Sequence, residues 1–180
     1  QPKGEIRVAE YWDIYDVDRI KKHRTHLRGT PIEDGDYHLV VNIWIYNSEG
    51  KVLLTQRHPE IPFGLKWACT GGSALAEDVR KEAAEEQVKP QATESDAADA
   101  LFAEIFAEKP REESISIDIL PEELILVGQE RRLHSFLDTF AVYKDVTPGQ
   151  IVMQPEEVVD FCWVNEREYR RMEREEQLHP

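Results

Sequence analysis

The run Trp67-Ala-Cys-Thr-Gly-Gly-Ser-Ala-Leu75 leads at once into the glutamate-dense segment Glu77–Val88, and this junction constrains the chain more than any other feature. A short apolar stretch that meets twin glycines and then turns helical sets Glu82, Glu85 and Glu86 at i, i+3 and i+4, on one helical face. Crowded carboxylates repel one another unless water or a cation separates them. A hard divalent ion such as Mg²⁺ takes one or two of them together with phosphate oxygens of a ligand. The plainer alternative is a solvated face whose acids pair with Arg80, Lys81 and Lys89.

Charge narrows the classes of partner. The 180-residue chain carries 36 acidic and 22 basic residues, a formal net charge of −14. A single domain spanning 1–180 is expected. Such an acidic chain is not expected to bind nucleic acid or an anionic membrane surface non-specifically, so an anionic ligand needs local cations or a metal bridge. Cys69 and Cys162 both sit in apolar, strand-like runs and read as reduced core thiols, which implies a cytoplasmic protein. No apolar stretch approaches the ~18–20 residues of a membrane-spanning helix.

Along the chain, residues 6–15 read as a strand. Residues 19–28 form the one basic cluster, either a solvated loop or helix or a contact for phosphate. Tyr37–Tyr46 and Val52–Gln56, joined by Asn47-Ser-Glu-Gly50, predict a β-hairpin, and Lys66–Thr70 predicts a short strand that stops at Gly71-Gly72. Residues 75–113 predict an extended helical segment; its second helix carries Leu101, Phe102, Ile105 and Phe106 as an apolar stripe suited to a core or to a homodimer. Strands follow at 124–127, 137–143 and 158–164. A charged helix near 166–176 closes the pattern, with Tyr169 and Met172 as its buried contacts. Strands, helix, strands and helix in this order predict an α+β domain with a mixed sheet flanked by helices.

Several of these segments together resemble the Nudix hydrolase superfamily, and within it the group similar to isopentenyl-diphosphate isomerase. The matching stretches are 10–16, Gln56-Arg57-His58, 63–75, and the later run from Leu124 through Arg131-Arg132, 136–143 and 154–164. The resemblance implies a Nudix-like mixed sheet. It also implies a loop and helix with the pattern GX5EX7REUXEEXGU, whose glutamates hold Mg²⁺ against a diphosphate. Lys81–Lys89 looks like the REUXEEXGU half, with Lys81 for Arg and Val88 for Gly. The interval from Gly72 to Lys81 is 81 − 72 = 9 residues, too short for the usual loop, so the box is interrupted or rebuilt. Ala103–Glu108 is a second, poorer match through Glu104 and Glu108.

By this resemblance Glu82, Glu85 and Glu86 are the expected metal ligands and catalytic groups. Mg²⁺, or Mn²⁺ in its place, would be the cofactor. Arg57, Gly71, Gly72, Arg131 and Arg132 are the expected contacts to a small diphosphate substrate. The implied reaction is hydrolysis of a nucleoside diphosphate derivative or another organic diphosphate. Lys supplies charge without the bidentate geometry of the box Arg, and Val88 resists the left-handed turn that a glycine permits. Those departures leave a catalytically impaired binding or scaffold domain as the alternative. Glu156 and Glu157 are further candidates for a base or metal ligand. His38, His58 and His134 show no metal-ligand spacing. Isomerase chemistry needs a reactive cysteine, and alternation turns Cys69 away from the face of Thr70.

Overall fold

A computed structural model of the chain describes residues 9–73, 115–117 and 119–180. The expected helical segment 75–113 lies outside the described residues, and with it Glu82, Glu85, Glu86, Glu104 and Glu108.

The strands are β1 (Tyr11–Tyr15), β2 (Lys21–Leu27), β3 (His38–Tyr46), β4 (Val52–Arg57), β5 (Trp67–Ala68), β6 (Thr70–Ser73), β7 (Ile115–Ser116), β8 (Ile125–Arg131), β9 (Ser135–Tyr143), β10 (Val152–Met153) and β11 (Val158–Val164). One α-helix, α1 (Glu166–Arg174), is present among the described residues. A mixed seven-stranded sheet runs in the order β11-β4-β3-β9-β8, with β5 beside β4 and β6 beside β3. Two small sheets, β1-β2 and β7-β10, flank it.

The centre is β3, whose sequence HLVVNIWIY alternates along its whole length. Leu39, Val41, Ile43 and Ile45 are each at most 3% exposed and enter the core, while Val40, Asn42 and Trp44 remain half-buried on the opposite face. That period of two is what the pleat requires. Strand β9 pairs with β3 in parallel over all nine residues, from His38↔Ser135 to Tyr46↔Tyr143. Phe140 and Val142 thereby join Val41, Ile43 and Ile45 in one apolar cluster with Leu53, Ile151 and Val158.

The expected hairpin forms, then splays. Asn47 Oδ1 accepts from the N–H groups of Glu49 (3.1 Å) and Lys51 (2.9 Å), closing the turn. Only Tyr46↔Val52 is then paired between β3 and β4. Strand β4 instead pairs with β11 and β5, and the free edge of β3 is taken by β6. The twin glycines thus lie inside a strand, not at its end as the sequence pattern predicts. Gly71 sits opposite Asn42 and Gly72 opposite Val41. A Cβ at Gly71 would stand 2.2 Å from the Val41 carbonyl oxygen and 2.9 Å from Asn42 Oδ1, so only glycine permits this approach.

The basic cluster also differs from expectation. Residues 21–27 are strand β2, antiparallel to β1, and most of its cations answer buried acids. Asp36 (1% exposed) accepts from Lys22 Nζ at 2.7 Å and from Arg24. Asp138 (2% exposed) accepts from Arg19 Nη1 at 3.0 Å and from Gln129 Nε2 at 3.1 Å. Lys21 Nζ lies 2.8 Å from Asp13. The hairpin is fastened further by reciprocal backbone bonds between Tyr15 and Tyr37, of 2.8 and 3.0 Å, and by Trp12 stacked on His38 at 3.9 Å.

Burial of Asp36 opposes its ionisation, but the hydrogen bonds and charges of Lys22 and Arg24 outweigh it and hold the carboxyl below its ordinary value. A lowered folded pKa stabilises above the unfolded value of about 3.9 and is lost as pH falls through the folded one. Asp36→Asn should therefore flatten the acid limb of stability below about pH 4 in urea titrations. Lys22→Met with Arg24→Met should cost about 3–5 kcal/mol at neutral pH, because it strands a buried carboxylate. Asp36→Asn should cost less, since both cations reach water; equal costs would contradict this account.

Candidate functional site

The half-buried face of β3 forms the floor of a cavity of about 480 Å³. Val40, Asn42 and Trp44 line it from β3, Leu54 and Arg57 from β4, Trp67 and Ala68 from β5, and Gly71, Gly72 and Ser73 from β6. Arg28, Arg132, Leu137, Glu157, Tyr169 and His179 complete its wall. Four of the five expected substrate contacts, Arg57, Gly71, Gly72 and Arg132, are brought together here. Arg131 is the exception. It occupies the last position of β8 opposite Phe136, and is exposed outside the cavity lining.

Arg57 is held by its own loop. Its Nε donates to Pro62 O at 2.9 Å, and its backbone exchanges hydrogen bonds with Lys66 O (2.9 Å) and Leu65 N–H (3.0 Å). Phe63 and Leu65 both take positive φ, 57° and 64°, to make that tight return. At Gly64 a Cβ would stand 2.5 Å from Pro59 O. Non-glycine residues in the left-handed region cost of order 1 kcal/mol or more, and such cost concentrates where geometry serves a site. Burial lowers the Arg57 pKa from its ordinary value, with Glu157 opposing the change; a guanidinium nevertheless stays charged at neutral pH.

Arg28 and Arg132 come from the end of β2 and from the turn between β8 and β9. Arg28 Nη1 lies 2.9 Å from Glu10, and Arg132 Nε lies 3.6 Å from Glu130. These are exposed or half-exposed pairs of low worth, which a phosphate can displace because the guanidinium fork matches its oxygens. Three arginines from three separate segments therefore line one cavity in a chain of formal charge −14.

Glu157 is the one carboxylate lining this cavity among the described residues, and its main-chain oxygen accepts from His58 N–H at 2.8 Å. Glu156, the other acid of that pair, is exposed and outside the lining. Glu157 is an oxygen donor of the kind a hard cation takes. His179 was not singled out by sequence. The segment after α1 runs beside β5, where Trp67 N–H donates to Gln177 O at 2.9 Å and His179 N–H to Trp67 O at 2.8 Å. The ring of His179 meets Phe63 edge-on at 4.8 Å. Burial, together with Arg57 and Arg132, lowers its pKa, so it is neutral near pH 7.

Helix α1 braces the same wall. Asn165 Oδ1 accepts from Glu168 N–H at 2.9 Å, and the Glu168 carboxylate accepts from Asn165 N–H at 2.9 Å, a capping box. The buried Met172 and half-buried Tyr169 then pack against Val52, Leu54 and Trp44, as expected from the sequence.

Among the described residues no three His, Cys, Asp or Glu side chains gather as metal ligands. Cys69 lines the cavity, but burial pushes its thiol up to about 12, and Cys162 to about 11. Neither thiol is poised to ionise. Both cysteines should resist iodoacetamide at pH 8 in the folded chain and react fully in denaturant. Rapid labelling of Cys69 in the folded protein, read by intact mass, would contradict this.

No family model matches the chain. A protein of Listeria innocua, named as an uncharacterised Nudix hydrolase, is 33% identical over 84 residues, covering 46% of this chain and 50% of that protein. The chain thus spans about half the length of that relative. An uncharacterised Nudix hydrolase of Listeria monocytogenes is 26% identical over 164 residues, 88% of this chain and 82% of its own length. The solved structure of DR0079 from Deinococcus radiodurans superposes with a TM-score of 0.59 at 19% identity, covering 95% of this chain and 93% of that one. At that identity the likeness concerns the fold.

Proposed function

From a chain that is a relative of the Nudix hydrolases, we propose an enzyme that hydrolyses organic diphosphates, with nucleoside diphosphate derivatives as its substrate class and Mg²⁺, or Mn²⁺, as its activating ion. One observation supports the reading above the others. Arg28, Arg57 and Arg132 meet in a single cavity walled by Gly71–Ser73, and the acidic run begins at Glu77, 77 − 73 = 4 residues further on. A cavity of guanidinium groups suits a diphosphate, and a neighbouring run of carboxylates suits the cation that accompanies one.

In this reading the arginines bind and orient the phosphate oxygens, and their charge stabilises the oxyanion that develops on the leaving phosphate. Arg57 contributes most to position because its loop fixes it. Glu82, Glu85 and Glu86 are the proposed metal ligands, with Glu157 as a further oxygen donor. The chemistry such an ion supplies when bound is charge neutralisation on the diphosphate and acidification of an attacking water. Glu157, the acidic side chain in the cavity lining, accepts a proton released there.

A second reading, a binding domain without efficient turnover, is favoured by Lys81 and Val88, which replace the Arg and Gly of the family pattern. One set of measurements separates the two. Glu85→Gln should bring metal-dependent phosphate release from a nucleoside diphosphate panel down to background without changing thermal stability. Arg57→Ala with Arg132→Ala should raise KM by an order of magnitude or more, each charged hydrogen bond being worth about 1.5–3 kcal/mol. A wild-type chain with no turnover across that panel, and no Mg²⁺ binding by calorimetry, would replace hydrolysis with the binding reading. Unchanged activity in Glu85→Gln would remove that residue from the mechanism.

A further inference from the structure

The strap that follows α1 does more than wall the arginine cavity. It leaves the helix at Glu176, whose φ of 54° reverses the chain while Gln177 N–H still donates to Met172 O at 2.9 Å. Leu178 then lies parallel to Trp67. Both main-chain polar groups of Trp67 are taken by this pairing, its N–H by Gln177 O and its carbonyl by His179 N–H. Lys66 Nζ donates to the Glu176 carbonyl, and the His179 ring closes on Phe63. Residues 63–67 are the return limb of the loop that holds Arg57, so each of these contacts lands on that limb. Backbone strain gathers at the same place: Phe63, Leu65 and Glu176 are three of the four non-glycine residues with positive φ among the described residues.

The strap hangs from a fixed base. Met172 is buried, and Tyr169, with Trp44, lines both the arginine cavity and a second, mostly apolar cavity of about 570 Å³ walled further by Tyr46, Val52 and Val127. We propose that the strap 176–179 positions Arg57, with His179 as the positioning residue: the helix holds the strap, the strap holds the return limb, and the limb presents Pro62 O to Arg57 Nε. The inference rests on the hydrolase reading only for the anion that Arg57 meets. Strand β5 pairs with β4 at Thr55↔Ala68 and Gln56↔Trp67 alone. So short an edge offers little to hold a loop whose left-handed residues cost free energy, and the second edge supplied by the strap is what fixes it. His179 is close enough to Arg57 and Arg132 for both charges to lower its pKa, which sets the strap beside the guanidinium it steers.

The test uses the whole chain with Mg²⁺. His179→Pro removes the N–H that Trp67 O accepts, whereas His179→Phe keeps that N–H and an aromatic edge for Phe63. By NMR the Arg57 Nε–H should exchange slowly with solvent in the unaltered chain, about tenfold or more faster in His179→Pro, and slowly again in His179→Phe. Methylenediphosphonate affinity, read by calorimetry, should fall about tenfold in His179→Pro. Lys66→Met, which cuts the separate tether to Glu176, should move both readouts in the same direction by less. With Arg57→Ala already in place, His179→Pro should cost no further affinity, whereas with Arg132→Ala the two losses should multiply. Unchanged Nε–H exchange in both His179→Pro and Lys66→Met, or an equal affinity loss with and without Arg57, would overturn the proposal. Should the unaltered chain bind no methylenediphosphonate, the diphosphate reading falls, and the exchange rates alone decide whether the strap positions Arg57.

Discussion

The seam between β6 and β3 is the contact on which the rest of the site depends. Strand β4 leaves β3 after one residue pair, which would expose the backbone of β3 along a whole edge. Thr70–Ser73 fills that edge, and can do so because position 71 has no side chain where the Val41 carbonyl passes. Two consequences follow at once. The splayed β4 carries Arg57 away from the sheet centre, and the inserted β6 supplies the facing wall, so a cavity opens between them over Val40, Asn42 and Trp44. The same seam commits Leu39, Val41, Ile43 and Ile45 of β3 to the core and turns Val40, Asn42 and Trp44 to the cavity.

Charge is divided with comparable economy between structure and binding. The basic cluster near the start of the chain reads as one patch, yet the fold separates it. Arg19, Lys21, Lys22 and Arg24 neutralise Asp138, Asp13 and Asp36, which are 2%, 6% and 1% exposed. Arg28, at the end of the same strand, turns to the cavity instead. Removing a buried carboxylate's partner is expensive, so the first four cations are not available to a ligand. The positive charge lining the cavity therefore comes from residues far apart in sequence, at 28, 57 and 132.

This division explains what the sequence disclosed and what it withheld. Strand β3 was legible because its apolar residues recur with the period of a pleat, β9 and β11 because they are short runs rich in β-branched and aromatic residues, and α1 because Tyr169 and Met172 punctuate a charged run at helical spacing. Strand β2 was illegible. KKHRTHL has no apolar alternation, and the acids that hold it lie on other segments of the chain. Arg131 and Arg132 are adjacent and chemically identical, and only the end of β8 decides that one faces solvent and the other the cavity. Gly71-Gly72 reads as a turn by propensity because the close approach that demands glycine is a tertiary event. His179 carried no local signal at all; its position is set by main-chain pairing with Trp67.

Helix α1 ties the two cavities together mechanically. Tyr169 belongs to both linings, and its place is set by the cap at Asn165 and by Met172, 5% exposed, packed against Val52 and Leu54. A shift of the helix along its axis would move one wall of each cavity in the same direction. The two cavities therefore cannot be reshaped independently through this helix. Independent adjustment has to come from residues confined to a single cavity: Arg57 with its strained loop on one side, Tyr46 and Val127 on the other. The shared wall thus fixes how far apart the two cavities lie along β3.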